Sequence, residues 1–170
     1  LDITILTSNN QVYGLTKGQS SPTTDPGVKN LLDPQGNLNI PLNPLALAIT
    51  MGAPFVARGF AGDKDHLKSL VTEAILFKGT ALVDILQPCV SFNKFNTYSW
   101  YRERVYKVEK PADNRHEALE LAGSWGSRIP IGVLLRDESA ESRELKTLFG
   151  KSITREAIDQ MVCTQCVMMR

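Results

Sequence analysis

Two consecutive amides, Asn9 and Asn10, open the segment of this chain best suited to chemistry: Asn9-Asn10-Gln11-Val12-Tyr13-Gly14-Leu15-Thr16-Lys17-Gly18-Gln19. A magnesium ion takes hard oxygen donors in near-octahedral geometry. One asparagine side-chain oxygen, together with the main-chain carbonyl two residues further on, supplies two such donors from a single turn. The glycines that follow let a phosphate group approach backbone N–H groups closely. The same residue types also make ordinary polar turns, since Asn and Gly dominate turns for backbone reasons alone.

Other candidates are thinner. Cys89, in Gln87-Pro88-Cys89-Val90-Ser91-Phe92-Asn93, reads on its own as a small buried residue. Cys163-Thr164-Gln165-Cys166 has the spacing of a zinc half-site or a redox pair, but the second ligand pair of a tetrahedral site is missing from the sequence. Arg58, at a strand exit, is a candidate contact for an anion or a neighbouring subunit, and equally a solvated arginine. His66 and His116 have no partner in the pattern and read as surface residues.

The elements that must position these residues alternate. Ile3–Leu6 is a short apolar run with β-branched residues, which predicts a buried strand ending just before the double Asn. Residues 22–41 are rich in Pro, Gly, Asn and Asp and predict a long loop, of the kind that is functional or mobile. Asn43-Pro44 caps and opens an apolar helix that Gly52 ends. Phe55-Val56-Ala57 follows as a strand. Asp63 caps a helix whose Leu67, Leu70, Val71, Ala74 and Ile75 share one face, with Gly79 as its stop after Lys78. Ala81–Leu86 is a further strand, and strand–helix–strand at this spacing predicts a parallel pairing. The aromatics Phe92, Phe95, Tyr98, Trp100 and Tyr101 read as a packed loop or subunit interface. A helix through His116 to Leu121 and a last strand, Ile129–Leu135, complete the order. The fold class is therefore α/β, a mostly parallel sheet flanked by helices.

With 170 residues, one domain with one sizeable core is expected. A formal charge of +1 leaves no electrostatic footprint for nucleic acid, and no apolar run is long enough to span a bilayer. An odd count of three cysteines argues against a secreted disulfide scaffold, so a reducing, cytoplasmic setting is expected.

The order of residues in two places adds something more specific. Asn9-Asn10-Gln11-Val12-Tyr13-Gly14-Leu15-Thr16-Lys17-Gly18-Gln19 with Ser21-Pro22-Thr23-Thr24, and later Pro88-Cys89-Val90-Ser91-Phe92-Asn93 with Asn96-Thr97-Tyr98, resemble the β subunit of the 2-oxoacid:ferredoxin oxidoreductases. Ile131-Gly132-Val133 fits the C-terminal strand of the same family. The resemblance covers residues 1–136, as the C-terminal part of a thiamine-diphosphate-binding domain. Residues 137–170 carry none and read as a charged, helix-prone extension.

The resemblance implies thiamine diphosphate, Mg²⁺ and a [4Fe–4S] cluster as cofactors. It implies Asn10 (side chain) and Val12 (carbonyl) on magnesium, and Gly14, Leu15 and Thr16 against the diphosphate. It implies Lys17 near the substrate; pyruvate-specific members more often carry glycine there, which points to 2-oxoglutarate or a broad 2-oxoacid range. Cys89 is implied as one cluster thiolate. The Gly-Asp-Gly that begins the family's thiamine-diphosphate motif is absent from the sequence, as are the other three cluster cysteines, which the family carries in its N-terminal region. The chain thus resembles the C-terminal part of a longer subunit. The implied reaction is oxidative decarboxylation of a 2-oxoacid to an acyl-CoA with reduction of ferredoxin. An α subunit, ferredoxin, coenzyme A and the 2-oxoacid are the implied partners. Two other readings stay open: a thiamine-diphosphate decarboxylase or acetolactate-synthase-like lyase, and a non-catalytic subunit-binding fragment.

Overall fold

A computed structural model describes residues 2–30 and 32–140 of the chain; Cys163, Cys166 and the remainder of the 137–170 extension lie outside the described residues. Among the described residues, seven strands and four α-helices alternate in the order β1 Ile3–Asn9, β2 Val12–Tyr13, β3 Gln19–Ser20, α1 Pro44–Thr50, β4 Phe55–Phe60, α2 Lys64–Leu76, β5 Thr80–Leu86, α3 Tyr98–Arg102, β6 Val105–Lys107, α4 Arg115–Gly123 and β7 Ile129–Arg136. A turn of 3₁₀ helix, Glu138–Ala140, follows.

Five strands form the main sheet in the order β1-β5-β4-β7-β6, and β2 pairs with β3 in a separate hairpin. β1 with β5, β5 with β4, and β6 with β7 run parallel, while β7 joins β4 antiparallel. The mostly parallel sheet read from the sequence is therefore present, with one antiparallel seam.

β4 is the centre of the molecule and every one of its residues is buried. Its side chains alternate between two cores. Val56 packs with Leu45 and Ile49 of α1, Ala118 and Ala122 of α4, and Leu134 and Leu135. Phe55 and Ala57 pack with Leu70 and Ala74 of α2, and with Ala81 and Val83. Helices thus cover both faces, as a parallel sheet requires. A third core gathers Phe60, Leu86, Tyr101, Ile129 and Ile131 towards one end of the sheet.

The capping residues behave as their chemistry demands. Asn43 Oδ1 accepts from the amides of Leu45 and Ala46, Asp63 accepts from His66 N, and the Asn114 side chain accepts from Glu117 N.

Three expectations need correction. The strand Ile3–Leu6 is longer and is not buried: among the described residues β1 is an edge strand with β5 on one side alone, and Ile3, Ile5 and Leu6 are exposed. α2 ends at Leu76, before Lys78, and its Ile75 is exposed because the helix leans on the sheet through Leu70 and Ala74. Arg58 is not solvated at a strand exit. It lies within β4 and is 2% exposed.

Candidate functional site

β1 and β5 end side by side. Asn9 is in register with Leu86, and Gln87 N donates to Asn9 O at 2.9 Å. The double-Asn turn and the Cys89 loop, far apart in sequence, therefore leave the sheet at the same edge. In open α/β sheets this carboxyl end is where ligands sit.

The turn is built by its own side chains. Asn10 Oδ1 accepts from Val12 N at 3.0 Å. Asn9 Oδ1 accepts from Gln11 N at 3.2 Å and from Thr23 Oγ1 at 2.8 Å, while its Nδ2 donates to Asp84 Oδ2 at 3.4 Å. The oxygen of Asn9 is thus filled, and that of Asn10 accepts one hydrogen bond and keeps a lone pair. Gln11, at φ 56°, sits in the left-handed region, which a non-glycine residue enters at a cost of about 1–2 kcal/mol. External bonds hold it there. Its backbone oxygen accepts from Thr24 Oγ1 at 2.6 Å, its Nε2 donates to Thr23 O and Asp25 Oδ1, and its Oε1 accepts from Tyr101 OH at 3.1 Å.

Past the turn, β2 and β3 carry a hairpin whose tip is residues 14–18. Gly18 N donates to Tyr13 O at 2.9 Å and Lys17 N to Gly14 O at 3.1 Å. Lys17 (φ 66°) and Gly18 (φ 103°) both have positive φ. A Cβ on Gly18 would lie 3.4 Å from Cβ of Phe92, so the glycine lets the hairpin approach the Cys89 loop. Leu15, Thr16 and Lys17 are exposed at the tip, and a Cβ on Gly14 would meet nothing within 4 Å. Between the base of this hairpin and the Cys89 loop lies a cavity of about 400 Å³, lined among others by Gln11, Val12, Gly18, Thr24, Phe92 and Asn93. Gly14, Leu15, Thr16 and Lys17 stand beyond its lining.

Asp25 anchors the long loop beneath. It accepts from Gln11, from Asn96 Nδ2 at 2.9 Å and from the indole Nε1 of Trp125 at 2.9 Å. The loop itself is braced where Gly27 N donates to Asn37 O at 2.8 Å. Gly36, at φ 100°, admits this brace, because a Cβ there would lie 2.7 Å from Gly27 O.

Arg58 and Asp84 face each other in register on β4 and β5, both almost fully buried. Burial pulls the Arg58 guanidinium down to about 10 against the opposing pull of Asp84, and burial pushes the Asp84 carboxyl up against hydrogen bonds from Thr7 and Asn9 and the charge of Arg58. Desolvation dominates both shifts. Arg58 Nη2 donates to Ala122 O at 2.8 Å, at the C-terminal end of α4, where the negative end of the helix dipole favours a cation. It also stacks over Trp125 at 5.5 Å. Its Nε makes no hydrogen bond among the described residues. This arginine is structural: it ties β4 to α4 and to the floor of the loop.

Cys89 is half-buried and free. Burial alone would raise its thiol, but the amides of Phe92, Ser91 and Asn93 point at the sulfur and Lys94 lies near, so the net shift is downward. Amides directed at a sulfur stabilise a thiolate, and hydrogen bonds of this kind tune cluster thiolates. The residues therefore fit one thiolate ligand. Asn10 Oδ1 is a hard neutral donor and fits one position of a magnesium shell. The open glycine tip leaves backbone room for phosphate oxygens. Among the described residues, no group of three or more His, Cys, Asp or Glu is placed to hold a metal. No helix among them is long and apolar enough to cross a membrane. The aromatic run divides: Tyr101 is buried, while Phe92 and Phe95 are exposed. His66 is half-buried, with Nδ1 unpartnered among the described residues, and His116 is exposed beside Glu120.

Sequence reasoning missed the network that holds the turn. Gln11, Asp25, Asn93, Asn96, Tyr101 and Trp125 carry no local signal, since their partners lie up to 100 residues apart.

Residues 1–85 match the family described as "Thiamine pyrophosphate enzyme, C-terminal TPP binding domain", and residues 89–147 match the C-terminal family of the pyruvate ferredoxin oxidoreductase beta subunit. The chain is 44% identical over 157 residues to a 2-oxoacid:ferredoxin oxidoreductase subunit beta of a Sulfolobus species, covering 85% of this chain and 52% of that one. It is 44% identical over 146 residues to subunit beta of 2-oxoacid:ferredoxin oxidoreductase 1 of Aeropyrum pernix, covering 78% and 46%. The chain thus spans about half the length of these relatives. In structure it is similar to a 2-oxoglutarate:ferredoxin oxidoreductase from Magnetococcus marinus, solved with 2-oxoglutarate, coenzyme A and succinyl-CoA bound. The TM-score is 0.76 at 30% identity, covering 95% of this chain and 58% of that one.

Proposed function

Because the chain belongs to the thiamine pyrophosphate enzymes, in the β-subunit branch of the 2-oxoacid:ferredoxin oxidoreductases, we propose that it forms the cofactor end of an enzyme that oxidatively decarboxylates a 2-oxoacid to an acyl-CoA. The observation that carries this is the convergence of the double-Asn turn and the Cys89 loop at the adjoining carboxyl ends of β1 and β5. When bound, thiamine diphosphate supplies the carbanion chemistry of decarboxylation; the protein binds and orients it.

Asn10, through its side-chain oxygen, and Val12, through its carbonyl, would hold a magnesium ion at the turn. Asn10 rather than Asn9 is the ligand, since the Asn9 oxygen already accepts two hydrogen bonds. Gly14, Leu15 and Thr16 receive the diphosphate at the open hairpin tip. Cys89 supplies one thiolate of a [4Fe–4S] cluster, and the other three come from outside the described residues. Lys17 meets the distal carboxylate of 2-oxoglutarate. The partners are the α subunit, coenzyme A and ferredoxin, in the cytoplasm.

The test is electron transfer by the full-length subunit assembled with its α partner. 2-Oxoacid- and coenzyme-A-dependent reduction of ferredoxin is expected. In the reduced enzyme, Cys89→Ala should lose or alter one cluster signal in electron paramagnetic resonance. Decarboxylation without any ferredoxin reduction would favour a simple decarboxylase instead.

A further inference from the structure

Asn93 joins the two halves of this site. Its Nδ2 donates to the main-chain oxygen of Asn10 at 3.2 Å and to Asn96 Oδ1 at 3.3 Å. Its Oδ1 accepts from the amides of Phe95 at 3.0 Å and Asn96 at 2.9 Å. Its own amide donates to Cys89 O at 3.1 Å. The residue is 6% exposed, and each of its side-chain polar atoms is used.

The bond to Asn10 O fixes the peptide between Asn10 and Gln11. That peptide precedes a residue held in the left-handed region at φ 56°, so the turn is not kept by its own preference. It answers to what holds it from outside. Through the Asn93 side chain the Asn10 carbonyl is thus tied to the loop that carries Cys89.

We propose that Asn93 is a positioning residue that couples the two cofactor sites: it holds the Cys89 loop in register with the Asn10–Val12 turn, so that loading one site is felt at the other. This rests on the reading that the turn takes magnesium and thiamine diphosphate and that Cys89 ligates a cluster. Coupling between two sites is reciprocal. Thiamine diphosphate should therefore shift the cluster's reduction potential, and cluster reduction should change the affinity for thiamine diphosphate.

The test uses the complete enzyme as wild type, Asn93→Ala and Asn93→Asp. The aspartate keeps the oxygen that caps Phe95 and Asn96 but turns an acceptor, not a donor, towards Asn10 O. Redox titration followed by electron paramagnetic resonance is run with and without magnesium and thiamine diphosphate, and cofactor affinity is read from quenching of tryptophan fluorescence. In the wild type the potential should move when the cofactor binds. In both variants that movement should fall by at least half, with affinity weakened about five- to tenfold, the loss of one hydrogen bond. Phe55→Leu, a core change in β4 away from the turn, serves as the stability control and should leave the movement intact.

An unchanged movement in the variants, no movement in the wild type, or an equal loss in Phe55→Leu would each overturn the proposal. Failure of the underlying reading looks different: Cys89→Ala would leave every cluster signal as it was.

Discussion

The phenolic hydroxyl of Tyr101 donates to the side-chain oxygen of Gln11 at 3.1 Å, across 90 residues of chain. Tyr101 is 1% exposed, and burial with nearby Asp25 and Asp84 pushes its phenol far up, so it remains a donor throughout the usable pH range. Gln11 is the hub of the candidate site, and this bond comes from the helix α3 that follows the Cys89 loop. The first motif is therefore supported from beneath by the sequence that follows the second.

Tyr101→Phe should strip the buried Gln11 Oε1 of its partner. A buried acceptor left unpaired costs about 1–3 kcal/mol. Urea unfolding of the chain should show that loss in midpoint with little change in slope. Tyr101→Phe at wild-type stability would mean that Gln11 finds another donor and that the bond does not hold the turn.

The thiol of Cys89 offers a test by pH. Its value in the folded chain lies below the ordinary 9.0, so the folded state favours the thiolate. The sign follows: relative to Cys89→Ser, stability from this group is full above the unfolded value and is lost as pH falls through the folded one. Alkylation by iodoacetamide, in a cluster-free chain with Cys163 and Cys166 changed to Ser, should show a midpoint below 9.0 when folded. In urea the midpoint should return to the ordinary value. A folded midpoint at or above the unfolded one would mean that desolvation outweighs the amides.

Much of the fold was legible because it is local. Asn43, Asp63 and Asn114 cap their helices through atoms within three residues, and β4, β5 and β7 each contain an apolar run. What was not legible depends on neighbours. Ile3 and Ile5 have the composition of a buried strand, yet β1 has a partner on one side alone among the described residues, so the same residues are exposed. Arg58 reads as a solvated cation until α4 and Trp125 close over it. The short α3, β6 and the β2–β3 hairpin have too few residues to show a period. Asn10, Val12 and Cys89 were singled out by their order in the sequence, whereas Asn93 emerges from distances alone.

Asn10→Ala should weaken binding of thiamine diphosphate with magnesium in the full-length subunit. The side-chain oxygen accepts from Val12 N, and its second lone pair is the one proposed to meet the ion. Loss of one hard donor should cost roughly tenfold or more in affinity. Titration at fixed magnesium, read by fluorescence quenching, gives the number. An Asn9→Ala variant should also lose stability, because Thr23, Gln11 and Asp84 all bond to that side chain. Unchanged affinity in Asn10→Ala would move the ligand elsewhere.

Lys17 is the residue proposed to carry the choice of substrate. It sits at φ 66° at the exposed hairpin tip, in a conformation that glycine adopts freely and that costs any other residue about 1 kcal/mol or more. The backbone there would suit glycine better, and under the proposed reading the ammonium group would meet a second carboxylate as a point charge. 2-Oxoglutarate has that carboxylate and pyruvate does not. Lys17→Ala should therefore raise KM for 2-oxoglutarate far more than for pyruvate, by about 1.5–3 kcal/mol of lost charged hydrogen bonding. Lys17→Gly separates this from a role in folding: it relieves the backbone, so unfolding should occur at or above the wild-type midpoint while the preference for 2-oxoglutarate is lost. Equal losses on both substrates would assign Lys17 to the cofactor or the fold, and a glycine variant that unfolds early would assign it to the hairpin itself.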